Sequence, residues 1–395
     1  MSRHPGAPNY DGDFWSDAVI MEPYPVYDEL RRLGPVVWMA RHDCWAVTHY
    51  DAVRTALLTP EVFSSAKGCM MNDAMNQATL GIMLCSDDPQ HLAMRRLFAK
   101  PLQPKALSEL RPRFAKLARQ KIVELMSRES FDAVRDLAHF LPLAVVTELV
   151  GLDAEGRTNM LDWAAGIFDA FGPENHPRTL SGIVIAQDVI GYVLTRVDRK
   201  NLVPGGWGEA LFRAADAGSI TEHTARMLLV DYLTPSLDTT INATSAAIEL
   251  FAAYPDEWNK VRADTALIPH AINEIVRMES PIRAFAREVA QDHEFGGISL
   301  RQGDRALMLY ACANRDPAKY PDAGRFDVAR RPSDHLGFGY GTHVCAGMHL
   351  AKLEITVMLE ALVPTVSGFV TGATTRCPHN TLRGLASMVT RFVVA

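Results

Sequence analysis

The sequence predicts a mainly α protein with a minor antiparallel β region, and three patterns predict it. Helical apolar periodicity dominates residues 106–262, interrupted by Gly and Pro. Strand-like, β-branched pieces are confined to about 35–50, 284–311 and 366–395. No repeat of fixed period and no low-complexity tract competes with these signals. The 395 residues alone suggest two or three domains. Apolar residues make up 48% and charged residues 22%, ordinary for a globular chain. A formal net charge of −6 argues against nucleic acid as the main partner. Cys44, Cys69, Cys85, Cys312, Cys345 and Cys377 form no C-x-x-C pair and no metal-finger spacing, so they read as reduced thiols in a cytoplasm. The polar start, Met1 to Gly6, has no apolar run of the ~20 residues a membrane helix needs.

Taken in order, residues 1–22 read as an irregular lead-in and Pro23 to Leu33 as a short helix. Val36-Val37-Trp38 and Trp45-Ala46-Val47-Thr48 suggest a small antiparallel sheet. Asp51 to Leu58 is a helix ended by Pro60. From Phe63 to Cys85 periodicity disappears among Ser64, Ser65, Gly68, Gly81 and four methionines, Met70, Met71, Met75 and Met83. A loop this long is usually functional or disordered, and Met suits an adaptable apolar lid.

Asp87-Asp88-Pro89 opens a helix on which His91 and Arg95 stand four apart on one face, able to grip a pair of carboxylates. Residues 95–121 are basic: Arg95, Arg96, Lys100, Lys105, Arg111, Arg113, Lys116, Arg119 and Lys121 face only Glu109. Such a cluster reads either as a solvated helix face or as a surface that steers an acidic electron-transfer partner. Helical patterns follow at 106–128, 133–150, 155–171, 178–200, 207–217 and 221–254, with Phe168 and Phe171 read either as plain core or as facing a pocket.

The longest of these has a fault at its centre, Thr234-Pro235-Ser236-Leu237-Asp238-Thr239-Thr240. Proline removes a helical hydrogen bond and crowds the preceding turn, so a kink is expected there. Asp238 and Thr239 supply an acid and an alcohol, the groups a proton relay requires. Glu274 and Arg277 then stand side by side at i,i+3 on a helix begun near Ala266. Strand-like pieces follow at Ala284–Ala290, Glu294–Phe295, Ile298–Leu300 and Ala306–Ala311, and a closing β-hairpin region at 366–395.

The most informative stretch is Phe338-Gly339-Tyr340-Gly341-Thr342-His343-Val344-Cys345-Ala346-Gly347, followed at once by the helix-forming run Met348 to Leu362. Cys345 precedes a helix N-terminus, where main-chain N–H groups and the helix dipole favour a thiolate. The segment matches F-G-x-G-x-H-x-C-x-G in full and resembles the heme-binding loop of the cytochrome P450 family. Four separated motifs occur in that family's order: His91-x-x-x-Arg95, Asp238-Thr239, Glu274-x-x-Arg277 and the Cys345 loop.

The resemblance covers nearly the whole chain. It implies one domain over residues 1–395 in a P450-like triangular prism, despite the length prior. It implies heme b (iron protoporphyrin IX) with Cys345 as its thiolate ligand, beside Phe338 and Gly347. His91, Arg95, Arg287 and His343 match positions that hold the heme propionates. The stretch 63–85 matches the substrate-covering B–C loop, and the loop near Leu382–Gly384 a substrate contact. Arg325 fits the third place of a buried Glu274–Arg277 triad that supports the cysteine loop. Pro235-Ser236 replace the family's small Ala-Gly ahead of the acid–alcohol pair.

The chemistry implied is monooxygenation by a cytoplasmic, soluble bacterial-type enzyme, with separate ferredoxin or flavodoxin and reductase partners and no membrane anchor. The run around Asp238-Thr239 is similar to members that oxidise substituted aromatics, including methoxybenzoates. Residues 68–86 contain no Arg, and a buried carboxylate needs a cationic or donor-rich partner. A neutral methoxyphenol, hydroxylated or O-demethylated, is therefore the expected substrate class. A substituted benzoic acid, a terpenoid or another apolar small molecule stands as the alternative.

Overall fold

The computed structural model describes residues 4 and 6–394, so the start of the chain lies partly outside the described residues. Helices form the larger layer. The helix that follows the cysteine, Met348–Leu362, packs against Pro104–Met126 and Ile268–Glu279. Asp238–Ala253 lies against Ile268–Glu279 and Met348–Leu362. Their facing side chains, among them Ile248, Phe251, Ile275 and Leu359, are buried in one continuous apolar cluster. Removing such surface from water is the main force holding helix to helix.

The β layer is a six-stranded sheet ordered Asn9–Tyr10, Val36–Met39, Cys44–Val47, Arg305–Met308, Phe285–Val289 and Phe63–Ser64. Trp38 pairs with Trp45 and Ala286 with Leu307 in antiparallel register, while Trp45–Ala306 and Asn9–Trp38 pair in parallel. The closing hairpin is Val366–Arg376 with Leu385–Val394, in register Phe369↔Phe392 and joined by Phe131–Asp132. The small pair His293–Phe295 and Ile298–Leu300 turns on Gly296 and Gly297, both at positive φ.

Several expectations are revised. The lead-in holds a strand, Asn9–Tyr10, and a helix, Asp17–Met21, capped by Ser16. The stretch 63–85 contains a helix, Asp73–Ala78, whose cap Asn72 accepts from Met75 N–H at 2.9 Å. The Asn72 amide also donates to the carbonyls of Ala170 and Gly172 at 2.7 and 2.9 Å. Met70, Met71, Met75 and Met83 are all buried, so this segment is packed core rather than a loose lid. Tyr310 and Ala311, expected at the end of the strand Ala306–Ala311, instead begin a short helix, Tyr310–Ala313.

The helix expected to kink within 221–254 is interrupted. Helical structure runs over Glu222–Leu233 and resumes over Asp238–Ala253. Pro235 lacks the N–H that would bond back, and hydroxyl groups take up carbonyls around the gap. Thr234 Oγ1 donates to Val230 O and Thr239 Oγ1 to Pro235 O, each at 2.9 Å, and Ser236 Oγ donates to Tyr232 O.

Candidate active site

The cysteine loop is shaped by glycine. Gly339 and Gly341 both sit at positive φ, 68° and 67°. A Cβ at Gly341 would lie 2.5 Å from the Leu57 carbonyl, so side-chain bulk is excluded there on two counts. Cys345 N–H donates to Phe338 O at 2.8 Å, closing the loop on itself. Gly347 then stands at the start of Met348–Leu362. Cys345 is enclosed by protein on most sides, yet its side chain is exposed where it opens onto a cavity of about 220 Å³. Burial pushes its thiol up, while the N–H groups of Gly347 and Met348 and the cations Arg95 and Lys352 pull the other way. A bound cation at the sulfur would settle that balance in favour of thiolate.

The fold brings the other sequence-predicted groups to the same cavity. His91 and Arg95 come from the helix Gln90–Phe98, Arg287 from the strand Phe285–Val289, and His343 and Phe338 from the cysteine loop. The His91 and His343 rings lie 4.3 Å apart, and the Nε2 atom of each is buried without a hydrogen-bond partner among the described residues. Arg95 donates to Val344 O, and Arg287 Nη1 to Ala286 O at 2.7 Å. Burial holds both imidazoles below their usual range. Two unpartnered imidazole nitrogens beside two guanidinium groups fit a ligand carrying carboxylates, whose negative charge would favour the protonated, donating form of each ring. Heme b has two, and an iron for the Cys345 sulfur, so the residues present fit that group.

Thr239 lines the cavity beside Ser236 and Thr240; Asp238 does not, and sits behind it. Burial, reinforced by Asp162, raises the Asp238 carboxyl to about 7. Phe168 and Phe171 line the cavity edge to face, 5.5 Å apart. Residues 382–384 do not line it. Leu382 bridges Ile282, and Arg383 turns to Glu279 at 3.2 Å.

Beneath the cysteine loop, Glu274 and Arg277 are both fully buried and joined in two hydrogen bonds, 2.7 and 2.8 Å. Their third partner is Arg330, not Arg325: Arg330 Nε donates to Glu274 Oε1 at 3.0 Å. Arg325 is exposed and offers only its carbonyl, to Arg277 and Arg330. The network continues through Asn314, which no sequence pattern singled out. Arg277 Nη1 donates to Asn314 O at 2.8 Å, and Asn314 Oδ1 accepts Leu336 N–H at 2.7 Å, two residues before Phe338. On the cysteine helix, Glu354 is buried with neither carboxyl oxygen hydrogen-bonded among the described residues, and burial raises it to about 8.

The basic stretch is partly neutralised. Arg111 pairs with Glu360, Arg113 with Glu148 and Lys121 with Glu124. Arg96, Lys100, Lys105, Lys116 and Arg119 stay exposed and make no ion pair among the described residues.

The sequence is 37% identical over 388 residues to cytochrome p450 CYP199A2 of Rhodopseudomonas palustris, covering 97% of this chain and 94% of the relative. The chain belongs to the cytochrome P450 family. The family's sequence pattern, described as Cytochrome P450, matches residues 209–367. This P450 is also 30% identical to 6-deoxyerythronolide B hydroxylase of Saccharopolyspora erythraea, over 89% of its own length and 90% of the relative's. Among solved structures it superposes on cytochrome P450 CREJ in complex with (4-ethylphenyl) dihydrogen phosphate, with TM-score 0.82 and 25% identity. That match covers 95% of this chain and 98% of that one. It is a P450 monooxygenase of the bacterial type, with heme b as cofactor and electrons drawn from external redox partners such as ferredoxin. No helix among the described residues is long and apolar enough to cross a membrane.

Proposed function

We propose that this P450 hydroxylates or O-demethylates a small neutral aromatic compound, of which a methoxyphenol is the type. The observation that carries the reading is the distribution of charge around the cavity. Its basic groups, His91, Arg95, Arg287 and His343, are gathered at the end suited to the heme carboxylates. The rest of the lining is mostly apolar: Ile82, Met83, Phe98, Ile167, Phe171 and Phe285 among others. A benzoate anion in that apolar part would be desolvated without a cation to offset the cost. The aryl ligand named for the similarly folded P450 supports a pocket of small aromatic size.

In this reading Cys345 holds the heme iron, and His91, Arg95, Arg287 and His343 hold its carboxylates. Phe338 and Gly347 give the group room, and the whole chain works as one domain in the cytoplasm, where its free cysteines stay reduced. Bound heme supplies dioxygen activation with two electrons delivered one at a time. Thr239 presents its hydroxyl to the cavity and Asp238, behind it, supplies protons from the protein side. For a methyl ether, one oxygen atom enters the methyl C–H bond. The other leaves as water with two protons and two electrons, and the resulting hemiacetal falls apart to a phenol and formaldehyde. The exposed Arg96, Lys100, Lys105, Lys116 and Arg119 provide a positive surface for an acidic electron carrier.

Spectral titration tests the substrate class. Methoxyphenols and 4-alkylguaiacols should shift the heme iron to high spin, and 4-methoxybenzoate should not. A shift given by the acid alone overturns the reading.

A further inference from the structure

We infer that Asp231 selects the polar end of the substrate: its carboxyl accepts a hydrogen bond from the ring hydroxyl of a para-substituted phenol. This assignment deepens the reading above and rests on it. Asp231 lies near the end of the helix Glu222–Leu233, lines the cavity and is 9% exposed. It is the one carboxylate side chain in the lining, and it makes no ion pair among the described residues. Met83 N–H donates to its Oδ2 at 2.9 Å, which fixes the carboxyl between this helix and the 63–85 segment.

The hydroxyl groups around it give the cavity a polarity. Thr79 donates to Met75 O at 2.7 Å, Tyr232 to Phe98 O at 2.7 Å, and Thr234 to Val230 O at 2.9 Å. Ser236 and Thr239 likewise donate to the carbonyls of Tyr232 and Pro235. Each of these hydroxyls has one proton, and each proton is already committed to the main chain. What the hydroxyls offer a ligand is therefore acceptor oxygen, and Asp231, whose carboxyl burial raises to about 7, offers the same in its ionised form. A ligand that brings a donor is matched, and one that brings only acceptors, a carboxylate above all, leaves buried oxygens facing one another.

Position then selects among phenols. Asp231 and Thr239 lie on either side of the break at 234–237, one near the end of Glu222–Leu233 and the other at the start of Asp238–Ala253, and both line the cavity. A hydroxyl held at Asp231 points the opposite end of the ring toward Thr239, so the substituent attacked is para to it. A methoxy group ortho to that hydroxyl stays at the Asp231 end.

The test compares three ligands on the heme-loaded protein: 4-methoxyphenol, its isomer 2-methoxyphenol, and 1,4-dimethoxybenzene, which keeps the shape but has no donor. The wild type should bind 4-methoxyphenol roughly tenfold more tightly than 1,4-dimethoxybenzene, the scale of one hydrogen bond to a charged or partly charged group. It should demethylate the 4-isomer and not the 2-isomer. Asp231→Asn keeps an oxygen for Met83 N–H, and should bring the two para ligands to within about threefold at unchanged heme content. Equal affinity for both para ligands in the wild type, or a preference that survives Asp231→Asn, refutes the role of Asp231 alone. No spin shift with any of the three removes the neutral-aromatic reading beneath it. The wild-type comparison stands even if the variant does not fold.

Discussion

Glu274→Gln should leave little folded, heme-loaded protein, whereas Arg325→Gln should change stability by no more than about 0.5 kcal/mol, the usual range for an exposed site. Both outcomes follow from one network. Arg277 and Glu274 are completely buried, and Arg277 completes its shell on the carbonyls of Asn314 and Ala323 at 2.8 and 2.9 Å. Removing the carboxylate charge leaves the guanidinium of Arg277 without its counter-ion, a loss of about 3–5 kcal/mol. That is a large part of the ~5–15 kcal/mol that holds a domain together. Because Asn314 carries the network on to Leu336 N–H at 2.7 Å, the cysteine loop should loosen before the helices melt. Heme content should therefore fall faster than helical circular dichroism as denaturant rises. Arg330→Gln should be intermediate, since its side chain is partly exposed and Arg277 still covers Glu274. Equal losses for the Arg325 and Arg330 variants would contradict this arrangement.

Asp238→Asn should lower product formation by about 100-fold, the low end of what a positioned acid contributes. Consumption of reductant should fall much less, with the difference appearing as peroxide. The carboxyl sits behind the cavity wall and is raised by burial to about 7, so near neutral pH it exists in both forms and can take up and release a proton. The sign of the pH dependence follows. A step that draws on protonated Asp238 slows as pH rises through about 7, and the Asn variant should lose that limb. Thr239→Ala should raise the peroxide share while keeping the pH limb, because the acid remains. Product yield and peroxide measured across pH 6–8.5 check both variants; an Asn variant that couples as well as wild type contradicts the relay.

How much of this was legible in the sequence depends on the range of the cause. The cysteine loop and the helix Met348–Leu362 are local: glycine, turn chemistry and apolar period specify them, and the helix bounds agree. Glu274 and Arg277 are one helical turn apart, so their pairing could be read, but their burial came only from the resemblance. Arg330 could not be read, because its place depends on how residues 321–330 wrap back over Glu274. Arg325 was the wrong choice for that reason. The helix Asp73–Ala78 has six residues, too few for a period, and its cap Asn72 is held by carbonyls about a hundred positions away. The fault at Pro235 was visible, yet its extent was not, since three hydroxyl-to-carbonyl bonds, from Thr234, Ser236 and Thr239, stabilise an opening wider than proline alone requires. Asp231 stood in plain view in the sequence. Only the cavity shows that it is the acid in the lining.

The direct test of the whole account is the carbon monoxide difference spectrum of the reduced protein and of Cys345→Ala. Thiolate ligation predicts the red-shifted Soret band that names the family in the wild type, and its complete absence in the variant. A variant that keeps that band, or a heme-loaded wild type that lacks it, would contradict the assignment of Cys345 as the iron ligand.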